Sequence, residues 1–118
     1  MIKDLSTQRE RYAESLAEDL DRVVGRLSRV PAVRKVILFG SYATGRRDLF
    51  TDLDVLVIMD SSQDFVTRNV ELARGIEAKV ALDLLAYTPQ EIERNRHRPF
   101  LRRVFETGRV LYERESTE

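Results

Sequence analysis

The sequence predicts a small α/β domain built on a mixed sheet. Three short apolar runs carry most of this expectation: VILF at 36–39, LDVLVIM at 53–59 and VALDLLA at 80–86. Each has the length and the branched composition of a largely buried strand. The segments around them instead repeat apolar residues at helical spacing. The resulting order, α-β-β-α-β-α-α, mixes both element types around one sheet. A length of 118 residues with 42% hydrophobic side chains suits one core rather than two.

Residues 4–28 are predicted as the first helix. Leu5, Tyr12, Leu16, Leu20, Val23, Val24 and Leu27 recur at helical spacing between charged residues. Gly25 weakens the last turn and Pro31 closes the segment. The first strand spans 34–39 and stops at Gly40. Residues 40–52, GSYATGRRDLFTD, form a loop with room for one helical turn. The second strand spans 53–59 and is broken by Asp60, Ser61 and Ser62. A helix over 65–78 follows, with Phe65, Val66, Val70, Ala73 and Ile76 expected on its apolar face and Ser62 or Asp64 as cap. The third strand spans 80–86. Thr88, Pro89 and Glu91 have the spacing of a capping box that opens a short helix to about Arg96. Pro99 opens another helix, which Gly108 ends, and 109–112 suit a small last strand. The expected organisation is one domain over 1–118, with the N-terminal helix at 4–28, a core at 34–112 and a frayed tail at 113–118.

Composition narrows the chemistry. The chain has no cysteine and one histidine, His97. A disulfide scaffold, a thiol nucleophile and a Cys- or His-rich metal centre are therefore excluded or strongly disfavoured. Twenty basic residues balance twenty acidic ones, so no whole-molecule attraction to nucleic acid or anionic membrane is expected. No apolar run approaches a membrane span, and the first fifteen residues lack a signal-peptide core. A cytoplasmic protein is expected.

The informative stretch is Gly40 to Asp54. A Gly-Ser pair leaving a strand lets backbone N–H groups approach a phosphate, and the Ser41 hydroxyl adds a donor. Asp52 and Asp54 stand two apart, which in a strand puts both on one face. Adjacent carboxylates repel unless a cation lies between them, and a hard cation with oxygen ligands, Mg²⁺ or Mn²⁺, suits them. Asp83 interrupts the third apolar run, where a lone buried carboxylate is costly. Beside Asp52 and Asp54 it completes a site for two metal ions and phosphoryl transfer.

These residues resemble the signature of the nucleotidyltransferase superfamily that includes DNA polymerase beta. That signature is a Gly-Ser pair, then Asp-x-Asp on the next strand, then a later Asp. The small size, the A-x-G that follows Gly-Ser and the ending PFLRRVFETGRVLYE resemble its minimal (MNT-type) subgroup. Thr51 stands where relatives often carry Ser and keeps the hydroxyl. The resemblance covers about 34–112 and implies a polymerase beta palm-like fold. It implies that Gly40 and Ser41 hold the triphosphate of ATP or another NTP. Asp52, Asp54 and Asp83 are the implied catalytic and metal residues, with two Mg²⁺ ions, or Mn²⁺ in their place. It further implies transfer of AMP to a hydroxyl. The implied acceptor is a tyrosine of a HEPN-class ribonuclease toxin, whose antitoxin the chain is, in a hetero-oligomer. Two alternatives stay open: an antitoxin that masks its partner by contact alone, and a transferase acting on an aminoglycoside-like small molecule. The resemblance leaves the nucleobase preference open.

Other readings of the same residues are weaker. GSYATGRR has the glycine spacing of a P-loop, but Arg46 and Arg47 stand where Lys and Ser or Thr are required. Gly40, Gly45 and Asp52, taken singly, also suit turns. Asp48, Asp60 and Asp64 are expected in turns and caps, and His97 in a solvated loop. Arg46 and Arg47 suit either a phosphate or a mobile loop. Tyr42 suits either packing under the loop or contact with a base. Arg94, Arg96, Arg98, Arg102 and Arg103 form either a solvated face or a surface for an acidic partner or phosphates.

Overall fold

A computed structural model describes residues 4–115. The elements are α1 (Leu5–Ser28), β1 (Val33–Phe39), α2 (Gly40–Ala43), β2 (Leu53–Met59), α3 (Phe65–Ala73), β3 (Leu82–Tyr87), α4 (Pro89–Asn95), α5 (Pro99–Thr107) and β4 (Arg109–Glu113). The four strands form one sheet in the order β3-β2-β1-β4. β1 pairs antiparallel with both β2 and β4, whereas β2 and β3 run parallel. The parallel pair needs a crossover, and α3 supplies it. The expected mixed α/β architecture is thus observed. Among the described residues no helix is long and apolar enough to cross a membrane.

Strand alternation divides the core into two layers. Val36 and Leu38 of β1 and Val55 and Val57 of β2 face α1, where Leu16, Val23 and Leu27 are buried. Ile37 and Leu56 face the other way, against Ile92 of α4 and Leu101 and Val104 of α5. Asp54 alternates with Val55 and therefore lies on the α4–α5 side. Asp83 shares that side with Tyr87.

Several expectations need correction. The helix expected over 65–78 ends at Ala73. Gly75 takes a φ of +81°, a left-handed conformation, and an added Cβ there would press on the Arg26 guanidinium at 2.7 Å. The expected apolar face of α3 is also wrong. Val66 and Val70 are exposed, whereas Arg68 is buried. Polar anchoring sets that orientation. Arg68 donates to both Glu91 carboxylate oxygens and to the carbonyls of Ala86 and Gln63. Asn69 exchanges two hydrogen bonds with the Ala86 backbone.

The third strand starts at Leu82, two residues later than expected, because the Lys79 and Val80 N–H groups donate to Asp19 on α1 instead. At the other end, Glu113 and Arg114 do not fray. Glu113 pairs with Lys35, and the Arg114 N–H donates to the Arg34 carbonyl at 2.8 Å. The remainder of that expected tail, 116–118, lies outside the described residues. The Thr88–Glu91 capping box, the Asp64 cap of α3 and Pro99 at the start of α5 occur as expected.

Candidate active site

The site forms where β1 ends and β2 and β3 begin. Phe39 pairs with Asp54 across β1 and β2, and Asp54 pairs with Asp83 across β2 and β3. Asp52 directly precedes β2. Each of the three aspartates offers a carboxylate oxygen, and these atoms lie within 4.8 Å of one another. None of the three joins an ion pair with Lys or Arg among the described residues.

The electrostatic result is a strained proton balance at Asp54. Its carboxyl is pushed up to about 6, first by partial burial, then by the negative charge of Asp52 and by a hydrogen bond and charge from Asp83. A cation placed among these oxygens would remove that penalty. An all-carboxylate donor set suits a hard divalent ion such as Mg²⁺ or Mn²⁺.

Asp83 stands beside Asp54, as its sequence suggests, but it is not buried as expected. It lies on the edge strand and is exposed, so burial places no demand on it. Its position directly beside Asp54 is what brings it into the group.

Gly40 and Ser41 open the single turn of α2, immediately after β1. Gly40 has a φ of +78°, and a Cβ there would overlap the Asp54 carboxylate. Glycine is therefore required twice, by backbone conformation and by space. The turn has no side-chain cap. Its first residue, Gly40, lies against the Asp54 carboxylate.

The loop from Thr44 to Asp52 is stapled rather than free. Asp48 accepts from the Phe50 N–H at 2.9 Å and from the Thr51 hydroxyl at 3.2 Å, as an Asx turn does. The Tyr12 hydroxyl donates to the Thr51 carbonyl at 2.7 Å, which ties the residue before Asp52 to α1. Arg46 pairs with Asp48 and holds its carboxyl below the usual range. Arg47 donates to the Tyr42 and Arg46 carbonyls and stacks 3.5 Å from the centroid of the Tyr42 ring. Both arginines thus serve the loop. Tyr42 is buried and packs under it. His97 is exposed, as are Arg94, Arg96, Arg98, Arg102 and Arg103. Asp60 pairs with Arg34 at 2.9 Å.

Sequence reasoning passed over two supporting residues. Asp19 is fully buried on α1, where its carboxylate accepts from Lys79 and Val80 N–H groups and pairs with Arg22. It fixes the approach to β3 and hence the position of Asp83. The available signal was that Asp19 falls within the Leu16–Val23–Leu27 stripe. Arg68 gave no comparable signal, because a charged residue between Thr67 and Asn69 resembles any solvated face.

A family model described as Polymerase beta, Nucleotidyltransferase matches residues 22–117. The chain belongs to this family and is a nucleotidyltransferase. It is 33% identical over 82 residues to a Methanocaldococcus jannaschii protein named a "putative protein adenylyltransferase", covering 68% of this chain and 79% of that protein. Solved structures share the fold. A "putative nucleotidyltransferase" from Sulfolobus solfataricus aligns with a TM-score of 0.57 at 20% identity, over 97% of this chain and 91% of that one. A toxin–antitoxin structure with AMP-PNP aligns with a TM-score of 0.54 at 20% identity, over 83% of this chain and 73% of that one. A variant of the toxin–antitoxin MntA-HpeT gives a TM-score of 0.53 at 21% identity, over 80% and 73% of the two chains.

Proposed function

We propose that the protein transfers AMP from ATP to a hydroxyl of a protein partner. The observation that carries this reading is the convergence of the Asp52, Asp54 and Asp83 carboxylates beside the uncapped Gly40–Ser41 turn. The turn offers N–H groups to phosphate oxygens, and the carboxylates offer ligands to cations beside it. In the reaction, the acceptor oxygen forms a bond to the α-phosphorus. The bond from that phosphorus to the bridging oxygen breaks, and pyrophosphate leaves. Asp83, the most open of the three carboxylates, takes the hydroxyl proton and returns it to water. Asp52, Asp54 and Asp83 would hold two divalent ions, Mg²⁺ or Mn²⁺. Bound there, the ions would supply charge that favours the attacking oxygen and the departing phosphates.

The acceptor proposed is a tyrosine of a HEPN-class toxin, for which this chain is the antitoxin in a hetero-oligomer. The name of the Methanocaldococcus relative supports protein modification, and two structures sharing the fold come from toxin–antitoxin pairs. The proposed location is the cytoplasm, a reading that a need for ATP supports.

The test is incubation with labelled ATP, Mg²⁺ and the product of the adjacent gene, beside Asp54→Asn. Label on the partner that is absent with the variant is the expected result. A stable complex with no label in either sample would replace transfer by masking through contact. Label on a small alcohol without any partner would replace the protein acceptor.

A further inference from the structure

A cavity of about 360 Å³ opens beside the aspartate cluster, between α2 and α5. Its lining includes Phe39, Gly40, Thr44, Phe100, Arg103 and Thr107. Its size is within the usual range of small-ligand sites, about 300–1,000 Å³. One end is Gly40, whose Cα lies against the Asp54 carboxylate. The wall also holds Phe100, which is 42% exposed at the start of α5.

Phe100 is neither buried nor loose. Its ring meets Phe39 at 5.5 Å between centroids with an interplanar angle of 83°. This edge contact fixes the ring's orientation while leaving much of the side chain open. Arg103 stands one turn further along the same helix, on the same face. It is exposed and has no acidic partner among the described residues. The other arginines near the site are engaged: Arg46 by Asp48, and Arg47 by Tyr42. An ordered, open aromatic ring and an unpaired guanidinium thus share one cavity that reaches Gly40, the neighbour of the Asp54 carboxylate.

We propose that this cavity is the nucleoside subsite, with the nucleobase stacked on Phe100 and Arg103 directed to the phosphates. The inference rests on the nucleotidyl-transfer reading above and adds to it the groups that recognise the donor. Stacking needs a π-face and little else, so it tolerates different bases and favours the larger surface of a purine. The guanidinium supplies the positive charge that a triphosphate needs outside the carboxylate cluster.

Calorimetric titration of ATP and of inorganic tripolyphosphate, each with Mg²⁺, separates the parts. Phe100→Ala is expected to weaken ATP binding roughly tenfold and to leave tripolyphosphate binding unchanged, because the phosphates alone do not use the ring. Phe100→Tyr is expected to keep ATP affinity. Arg103→Ala is expected to weaken both ligands. Unchanged ATP affinity in Phe100→Ala would overturn the subsite while leaving the transfer reading intact. So would equal losses for ATP and tripolyphosphate in that variant. Failure of the unaltered protein to bind either ligand would overturn the transfer reading itself, and the subsite with it. Phe100 is half exposed, and a matching thermal melt of each variant shows that binding losses do not come from misfolding.

Discussion

Two groups of charged residues flank β3, and they are built on opposite plans. At its start, Asp54 and Asp83 stand side by side with Asp52 near them, and among the described residues no basic side chain pairs with them. Beyond its end, Arg68 is 2% exposed and fully engaged at its two terminal nitrogens by Glu91 and two carbonyls. The second group satisfies its charge within the chain, as a buried ion must if the fold is to tolerate it. The first leaves its charge for something else to satisfy. On the proposed reading, the contrast separates charge that holds the structure together from charge held ready for a ligand. Only the second kind calls for a function.

The largest expected effect falls on the uncompensated group. Asp54→Asn keeps the side-chain shape and removes one negative charge. Transfer is expected to drop on the order of 100- to 1,000-fold, the scale seen when one aligned electrostatic group is lost from a site. Metal-free stability is expected to stay level or rise, because like-charge repulsion is relieved. Paired measurement of turnover and thermal melting checks this. A variant that transfers AMP normally would remove Asp54 from the site.

The compensated group is expected to respond in the opposite sense. Glu91→Ala leaves Arg68 buried without its carboxylate and should cost about 3 kcal/mol of stability. Urea denaturation reads that loss. Turnover per folded molecule should change little, since Glu91 lies beyond the far end of β3 from the carboxylate cluster. A normal urea midpoint would show that the pair contributes nothing net.

A smaller effect is expected at the junction of strand and turn. Gly40→Ala must hold a left-handed φ and push aside the Asp54 carboxylate. A destabilisation of about 1–3 kcal/mol is expected from the backbone alone. Because the methyl group displaces a site residue, transfer should fall as well. An intact melting temperature with normal turnover would mean that the turn can rearrange at no cost.

The two groups also differ in how far the sequence revealed them. Asp52 and Asp54 were legible because a spacing of two at the start of a strand brings two side chains together, and because Gly-Ser preceded them. Asp83 was found for a partly mistaken reason. Its apolar neighbours suggested a buried strand, but β3 is an edge, and pairing register brings it to Asp54. Arg68 was missed because helical periodicity counts apolar residues. Val66 and Val70 made a plausible inward face, but four hydrogen bonds from one guanidinium outweighed them. Local signals of capping and strand composition are carried by adjacent residues. The partner of a buried arginine lies 23 positions away, beyond any local pattern. The Phe39–Phe100 contact was hidden for the same reason.

The finest test of the contrast is the pH dependence of stability in the metal-free protein. Asp54 binds its proton more tightly when folded, with its carboxyl at about 6 against an ordinary 3.8. Its contribution is fully present below the lower value and is lost as pH rises through the higher one. Glu91 is shifted the other way, held below its ordinary 4.5 first by the hydrogen bond from Arg68. Its contribution is present above that value and is lost as pH falls through the folded one. Urea midpoints in a chelator should therefore decline modestly between about pH 4 and pH 6 because of Asp54, and fall in more acid solution because of Glu91. Asp54→Asn should abolish the first slope and spare the second, whereas Glu91→Gln should do the reverse. Saturating Mg²⁺ should flatten only the slope that Asp54 controls, since an ion among the carboxylates replaces the proton as the source of positive charge. If Mg²⁺ flattened neither slope, or both alike, the carboxylate cluster would differ from the buried pair in geometry alone.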